Sequence, residues 1–183
     1  MTNKWLKVAL MATAIATGTS INIDAETVLY VPQDDRPVSL QYTVDTAREA
    51  GMTVLTPPQN LISGKTYQGQ ADQIMAWVEQ NAGRADVMVL STDTLIYGGL
   101  VDSRKHNIPL STLESRLKRI ESLKARHKNV RIYGFGTVMR SPRASGGGTE
   151  PAYYAEYGPL VEQRRHGMDQ RQVVLQLRNR LFL

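Results

Sequence analysis

The stretch Val28-Leu-Tyr-Val-Pro-Gln-Asp-Asp-Arg-Pro37 sets two carboxylates and a guanidinium, Asp34, Asp35 and Arg36, directly after a short apolar run. Pro32 and Pro37 restrict the backbone on either side of the charged triplet. A second cluster follows another apolar run: Ser91-Thr-Asp-Thr-Leu-Ile-Tyr-Gly-Gly-Leu-Val-Asp-Ser-Arg104 carries Asp93, Tyr97 and Arg104. A third brings Arg140 and Ser141, then Glu150 and Tyr153. Two carboxyl groups held in unlike surroundings can divide acid and base, or acid and nucleophile, between them, as glycoside cleavage requires. Arginines beside them suit an anionic or polyhydroxyl substrate through forked hydrogen bonds. Asp35 and Asp93 are therefore the candidate catalytic pair. Asp34, Arg36, Tyr97, Arg104, Arg140 and Glu150 are the candidate substrate-binding residues.

For these groups to meet, the elements carrying them must end on one side of a sheet. The apolar rhythm supplies such elements. Short strands are expected at Val28 to Val31, Thr53 to Thr56, Asp86 to Ser91 and Val130 to Val138. Helices are expected over Leu40 to Ala50, ending at Gly51, and over Ala71 to Asn81. Ser111-Thr-Leu-Glu114 reads as a capping box ahead of a stripe formed by Leu113, Leu117, Ile120 and Leu123. The tail from Glu156 reads as helical with a break near Gly167. Alternation of strand and helix argues for an α/β fold with a parallel sheet of β/α repeats, whose carboxyl strand ends share one face. Four strands leave open whether the sheet is an open, doubly wound one or part of a (β/α)8-like barrel.

Each chemical feature has a structural competitor. Asp34 or Asp35 could cap the next helix while Arg36 makes an ion pair, and Asp102 with Arg104 reads equally well as a surface pair. Gly98-Gly99 reads as a sharp turn, since neither it nor Ser145 to Thr149 has the spacing of a phosphate loop. Asp34, Asp35 and Asp93 together could hold a hard cation, which keeps a metal-dependent phosphoesterase as an alternative. His106, His127 and His166 lack ligand spacing and read as surface residues; no metal site and no cofactor are assigned. The absence of cysteine removes a thiol nucleophile, a disulfide framework and a lipoprotein anchor.

The ends and the charge bound the setting. Lys4, Lys7 and the Ala-rich run from Val8 to Thr17 read as an export signal over residues 1–25, too short to span a bilayer. Residues 26–183 then form one α/β domain, expected in the periplasm or outside the cell and free of the membrane after signal cleavage. A net charge of +5, dispersed along helix-like segments, does not point to nucleic acid. Val173, Val174, Leu175, Leu177, Leu181, Phe182 and Leu183 carry an apolar face to the last residue, which reads as the N-terminal part of a longer protein.

Tyr30-Val-Pro-x-Asp-Asp-Arg-Pro37, the Leu90-Ser-x-Asp-x-Leu-x-Tyr-Gly-Gly-Leu100 block with Ser103-Arg104, and Arg140 before Tyr153-Tyr-x-x-Tyr-Gly158 occur in a fixed order. In that order they resemble a bacterial, often exported family known only as a domain of unknown function, with a V-P-x-D-D-R-P signature. The resemblance runs from about Val28 to Gly158. It implies a longer parent protein with further strand-plus-acid blocks downstream, including a second P-x-D-D-like segment, so a missing C-terminal half is an expected partner of the site. No activity follows from the resemblance. The residues themselves favour an exported hydrolase-like enzyme acting on a carbohydrate or cell-envelope glycan. The alternatives are a non-catalytic sugar- or anion-binding module, the metal-dependent phosphoesterase, and an inactive fragment.

Overall fold

Leu29, Val31, Met88 and Leu90 alternate along two neighbouring strands and are all essentially inaccessible, which is how a parallel sheet covered by helices builds its core. These residues belong to β1 (Thr27–Val31) and β3 (Val87–Ser91), the central pair of the sheet in a computed structural model that describes residues 25–138 and 155–157. β2 (Thr53–Leu55) pairs with β1 on one side, and β4 (Arg131–Phe135) pairs with β3 on the other. All pairings are parallel and the order is β2-β1-β3-β4. In register, Val31 lies opposite Leu90 and Ser91 opposite Phe135.

That order decides between the two architectures. In a (β/α)8 barrel β2 would pair with β3; here β1 lies between them, so the barrel alternative is overturned in favour of an open, doubly wound sheet. Parallel crossovers are right-handed, so a connection running leftward and one running rightward put their helices on opposite faces. The helices follow this rule. Ile74, Met75 and Val78 of α2 (Ala71–Asn81) and Leu123 of α4 (Leu110–Arg126) join Leu29, Val31, Met88 and Leu90 in one cluster. Thr43 and Ala47 of α1 (Gln41–Glu49) lie against the opposite face, beside Val28, Tyr30 and Val54. Each large aliphatic side chain fully buried in such a cluster contributes about 1.5–3 kcal/mol.

Several local expectations are corrected. The Ser111 capping box does not form, because the N-cap lies two residues earlier, at Pro109, and α4 has no side-chain cap. The ring of Pro109 fixes its φ, observed at −57°, and with an extended ψ of 142° the helix starts at Leu110, so Ser111 falls inside the first turn. β4 stops at Phe135 instead of reaching Val138, since its neighbour β3 ends at Ser91 and offers nothing further to pair with. Between β3 and α4 the chain makes a π-helical turn, Asp93–Tyr97, and a short helix α3 (Asp102–Lys105), neither of which shows in the apolar rhythm.

α2 and α4 are also joined by charge. Arg119 bridges Glu79 at 2.8 Å and Asp72 at 3.6 Å, and Arg126 reaches Glu79 at 3.1 Å. The Arg119 hydrogen bond, then the neighbouring guanidinium charges, hold the Glu79 carboxyl below its ordinary pKa of 4.5. Its contribution is therefore complete above that value and is lost as pH falls below it, because the unfolded state takes up the proton first. Glu79→Gln is expected to cost about 1 kcal/mol at pH 7 and nothing in strong acid, read by urea denaturation at both pH values.

Candidate functional site

In a doubly wound sheet the ligand crevice lies outside the carboxyl ends of the strands where the winding reverses. Here that point is between β1 and β3, because β1 connects outward to β2 and β3 connects outward to β4. The segment after β1 carries Gln33 to Arg36, and the turn after β3 carries Asp93. The two motifs found in the sequence thus meet at the one place the topology marks for function.

The loops are tied together by short polar contacts. Thr94, fully buried, donates its hydroxyl to the Pro32 carbonyl at 2.6 Å, and Leu100 donates its N–H to the Gln33 carbonyl at 3.2 Å. Asp35 donates its backbone N–H to the Ser63 carbonyl at 2.8 Å. Ser63 belongs to the segment 62–69, whose Tyr67 hydroxyl also reaches Asp35. Gly98 adopts φ +103°, a left-handed conformation that suits glycine, and makes the sharp turn expected of the glycine pair.

Asp93 is the most constrained group. It is 6% exposed, and its Oδ2 accepts from the Thr137 N–H at 2.9 Å and from Gln33 Nε2 at 3.3 Å. The same Gln33 amide nitrogen donates to Thr137 Oγ1 at 2.7 Å, so the segments that follow β1 and β4 together hold the carboxyl that follows β3. Burial pushes the Asp93 pKa above the ordinary carboxylate value; the Thr137 and Gln33 hydrogen bonds and the Arg104 charge pull it part of the way back. Such a carboxyl keeps its proton to higher pH than a surface acid does.

The neighbouring acids are held differently. Asp35 is partly buried and its carboxylate accepts from the Tyr67 hydroxyl, a bond that raises the phenol pKa. Asp34 is 4% exposed and spent on Arg36, whose Nε and Nη2 lie 2.8 and 2.7 Å from one carboxylate oxygen. The ion-pair reading of Arg36 is thus what the structure displays. Among the described residues no three His, Asp or Glu side chains gather closely enough to hold a metal ion.

Other expected site residues are placed less directly. Arg104, on α3, influences Asp93 through its charge, and its Nε is buried with no partner among the described residues. Tyr97 lies with its ring centroid 4.6 Å from that of His106. His106 is therefore not the surface residue the sequence suggested; it is half-buried, with Nδ1 shut away from solvent. Asp102 does not pair with Arg104 either. It accepts the Gly69 N–H, and burial raises its pKa. Arg140, Glu150, Ser141, Tyr153, Tyr154, His166, the Ser145 to Thr149 loop, the export signal and the helical tail lie outside the described residues.

A family model described as a protein of unknown function, DUF4127, matches residues 28–180. The chain belongs to the DUF4127 family. No curated protein and no solved structure matches it significantly. Within this DUF4127 chain, three contributors to the site carried no signal of their own in the sequence. Gln33 sits inside the charged motif, where an amide beside two acids was the available clue. Tyr67 lies in a segment with no patterning and Thr137 in one read as the end of a strand, and only the fold brings them to Asp35 and Asp93. Gln33→Ala removes a hydrogen bond that lowers the Asp93 pKa, so that pKa rises further. If Asp93 acts as an acid, the alkaline limb of the pH–rate profile is expected to move to higher pH, with turnover down about tenfold as positioning is lost.

Proposed function

We propose that this DUF4127 chain is an exported hydrolase-like enzyme acting on a carbohydrate or cell-envelope glycan, with Asp93 as general acid and Asp35 as base or nucleophile. The observation that carries this reading is the buried Asp93 carboxyl at the point where the winding of the sheet reverses. Burial raises its pKa, and its geometry is held by Gln33 and Thr137. A protonated carboxyl of this kind donates to the leaving-group oxygen as the glycosidic bond breaks. Asp35, oriented by the Tyr67 hydroxyl, then attacks the anomeric carbon or activates the water that does. Arg104 supplies positive charge beside the acid.

Export is supported by the basic and Ala-rich leader from Lys4 to Thr17. Among the described residues no helix is long and apolar enough to cross a membrane. A purely anion-binding role would need a free Arg36, whereas Asp34 holds it. The test is release of reducing ends from a panel of soluble glycans by the full chain, by Asp35→Asn and by Asp93→Asn, each checked for cooperative melting. Turnover that survives unchanged in both folded variants would sink the assignment.

A further inference from the structure

We propose that the open half of the sheet face opposite α2 and α4 is a docking surface for this chain's own segment 170–183, which lies along β3 and β4 as an amphipathic helix. That segment is outside the described residues; the surface that receives it is not. The surface is a groove of about 340 Å³ on the flat of the sheet. It is separate from the crevice at the carboxyl strand ends, so the proposal stands apart from the reaction assigned there.

Register lays this surface out in two rows. Val54, Val28 and Val87 lie side by side across β2, β1 and β3; Tyr30, Val89 and Tyr133 lie across β1, β3 and β4. All six line the groove. A parallel sheet carries helices on both faces. The opposite face meets that rule, with Met88 at 0% and Leu90 at 1% exposure. On this face the described residues supply one helix to the groove, α1, through Thr43 and Ala47. Beyond it, Val89 is only partly buried although it sits in a central strand, and Tyr133 of β4 is 56% exposed. Contiguous apolar surface of this kind marks an interaction site.

Dimensions and sequence point to a single helix as the occupant. β3 and β4 together offer a strip about 10 Å wide, the breadth of one helix. In helical register Val173, Val174, Leu177 and Leu181 fall on one stripe, with Arg171, Arg178 and Arg180 off it. From Val173 to Leu181 a helix rises about 12 Å, which fits along a five-residue strand of about 16 Å. Residues 136–172 connect β4 to the stripe. At about 3.3 Å per extended residue they far outreach the roughly 15 Å across four strands. Tethering raises the effective concentration of the segment at the face, toward the millimolar range, above that of a second copy in dilute solution.

The chain contains no cysteine, so thiols can be introduced into the full chain without background. Tyr133→Cys combined with Leu177→Cys, treated with a short bismaleimide, is expected to crosslink within one chain, read by gel mobility and peptide mass. Tyr133→Cys combined with Asn179→Cys, whose second thiol lies on the far side of the stripe, should crosslink far less. Position 133 is already half exposed, so the substitution spares the packed core. A second measurement reads coverage directly. Alkylation of the thiol at position 133 is expected to quicken about tenfold when Leu177→Asp is added, while the chain still melts cooperatively. A crosslink formed only between two chains, which would make the occupant a second copy, overturns the proposal. So does an alkylation rate that Leu177→Asp leaves unchanged.

Discussion

Asp93→Asn is expected to lower glycan turnover by roughly 10²–10⁴-fold, the range that a positioned general acid supplies, while the protein still melts cooperatively. Asparagine keeps the size of the side chain and an oxygen for the Thr137 N–H and the Gln33 amide, so the local contacts at 2.9 and 3.3 Å persist. What is lost is the proton. The same substitution has a distinct signature in stability. The folded pKa of Asp93 is raised, so the unfolded chain releases its proton first as pH rises above the ordinary carboxylate value of 3.8. Through that window the unfolded state binds fewer protons than the folded one, and stability falls with rising pH until the folded group also ionises. Asparagine abolishes this decline. The variant is therefore expected to gain stability relative to the parent on going from pH 3 to pH 7, as measured by denaturant midpoints. An inactive variant that gained nothing would place the loss in structure; an active one would remove Asp93 from the chemistry.

Gly69→Ala is expected to destabilise the fold by about 3 kcal/mol, at the upper end of the usual cost of forcing atoms into a packed site. An added Cβ would stand 2.1 Å from the Gly98 carbonyl oxygen and 2.8 Å from the Ser63 nitrogen. Both are backbone atoms, so no rotamer change relieves the clash; one loop has to move. The displaced segment carries Ser63, whose carbonyl accepts the Asp35 N–H, and Tyr67, whose hydroxyl bonds the Asp35 carboxylate. Turnover should therefore fall further than the loss of folded protein accounts for. Gly83→Ala is the matched control. Nothing lies within 4 Å of a Cβ there, so the substitution is expected to be neutral or to stabilise by up to about 1 kcal/mol. Equal midpoints for the two variants in urea would show that the contact between the 62–69 segment and the glycine turn does not hold the site.

The contrast between Asp93 and Tyr67 shows how far the sequence alone reached. Asp34, Asp35, Arg36 and Asp93 were legible because chemistry-bearing residues followed short apolar runs, and a continuous run such as Val87 to Leu90 has few uses other than a buried strand. The parallel α/β class was legible for the same reason: strand and helix alternate at spacings that leave room for crossovers. Periodicity is a local property, and it determined the local elements to within a few residues. Even there it failed where a proline preset the backbone, as at Pro109, or where the chain turned within a π-helical segment, as at Asp93 to Tyr97.

Strand order was decided only in three dimensions. Nothing in the run of residues says that β1 takes the position between β2 and β3; that depends on which helix covers which face once all the apolar surfaces are buried together. With the order came the reversal point, and with it the reason Gln33, Asp93 and Thr137 meet although they lie 60 and 44 residues apart along the chain. Tertiary structure also divided the acids by environment. It sealed Asp34 onto Arg36, left Asp35 to a tyrosine from a distant loop, and buried Asp93 beside donors too weak to cancel the cost of its charge. Residue type supplied the carboxyl groups. Burial, which exists only in the folded chain, raised the pKa of Asp93.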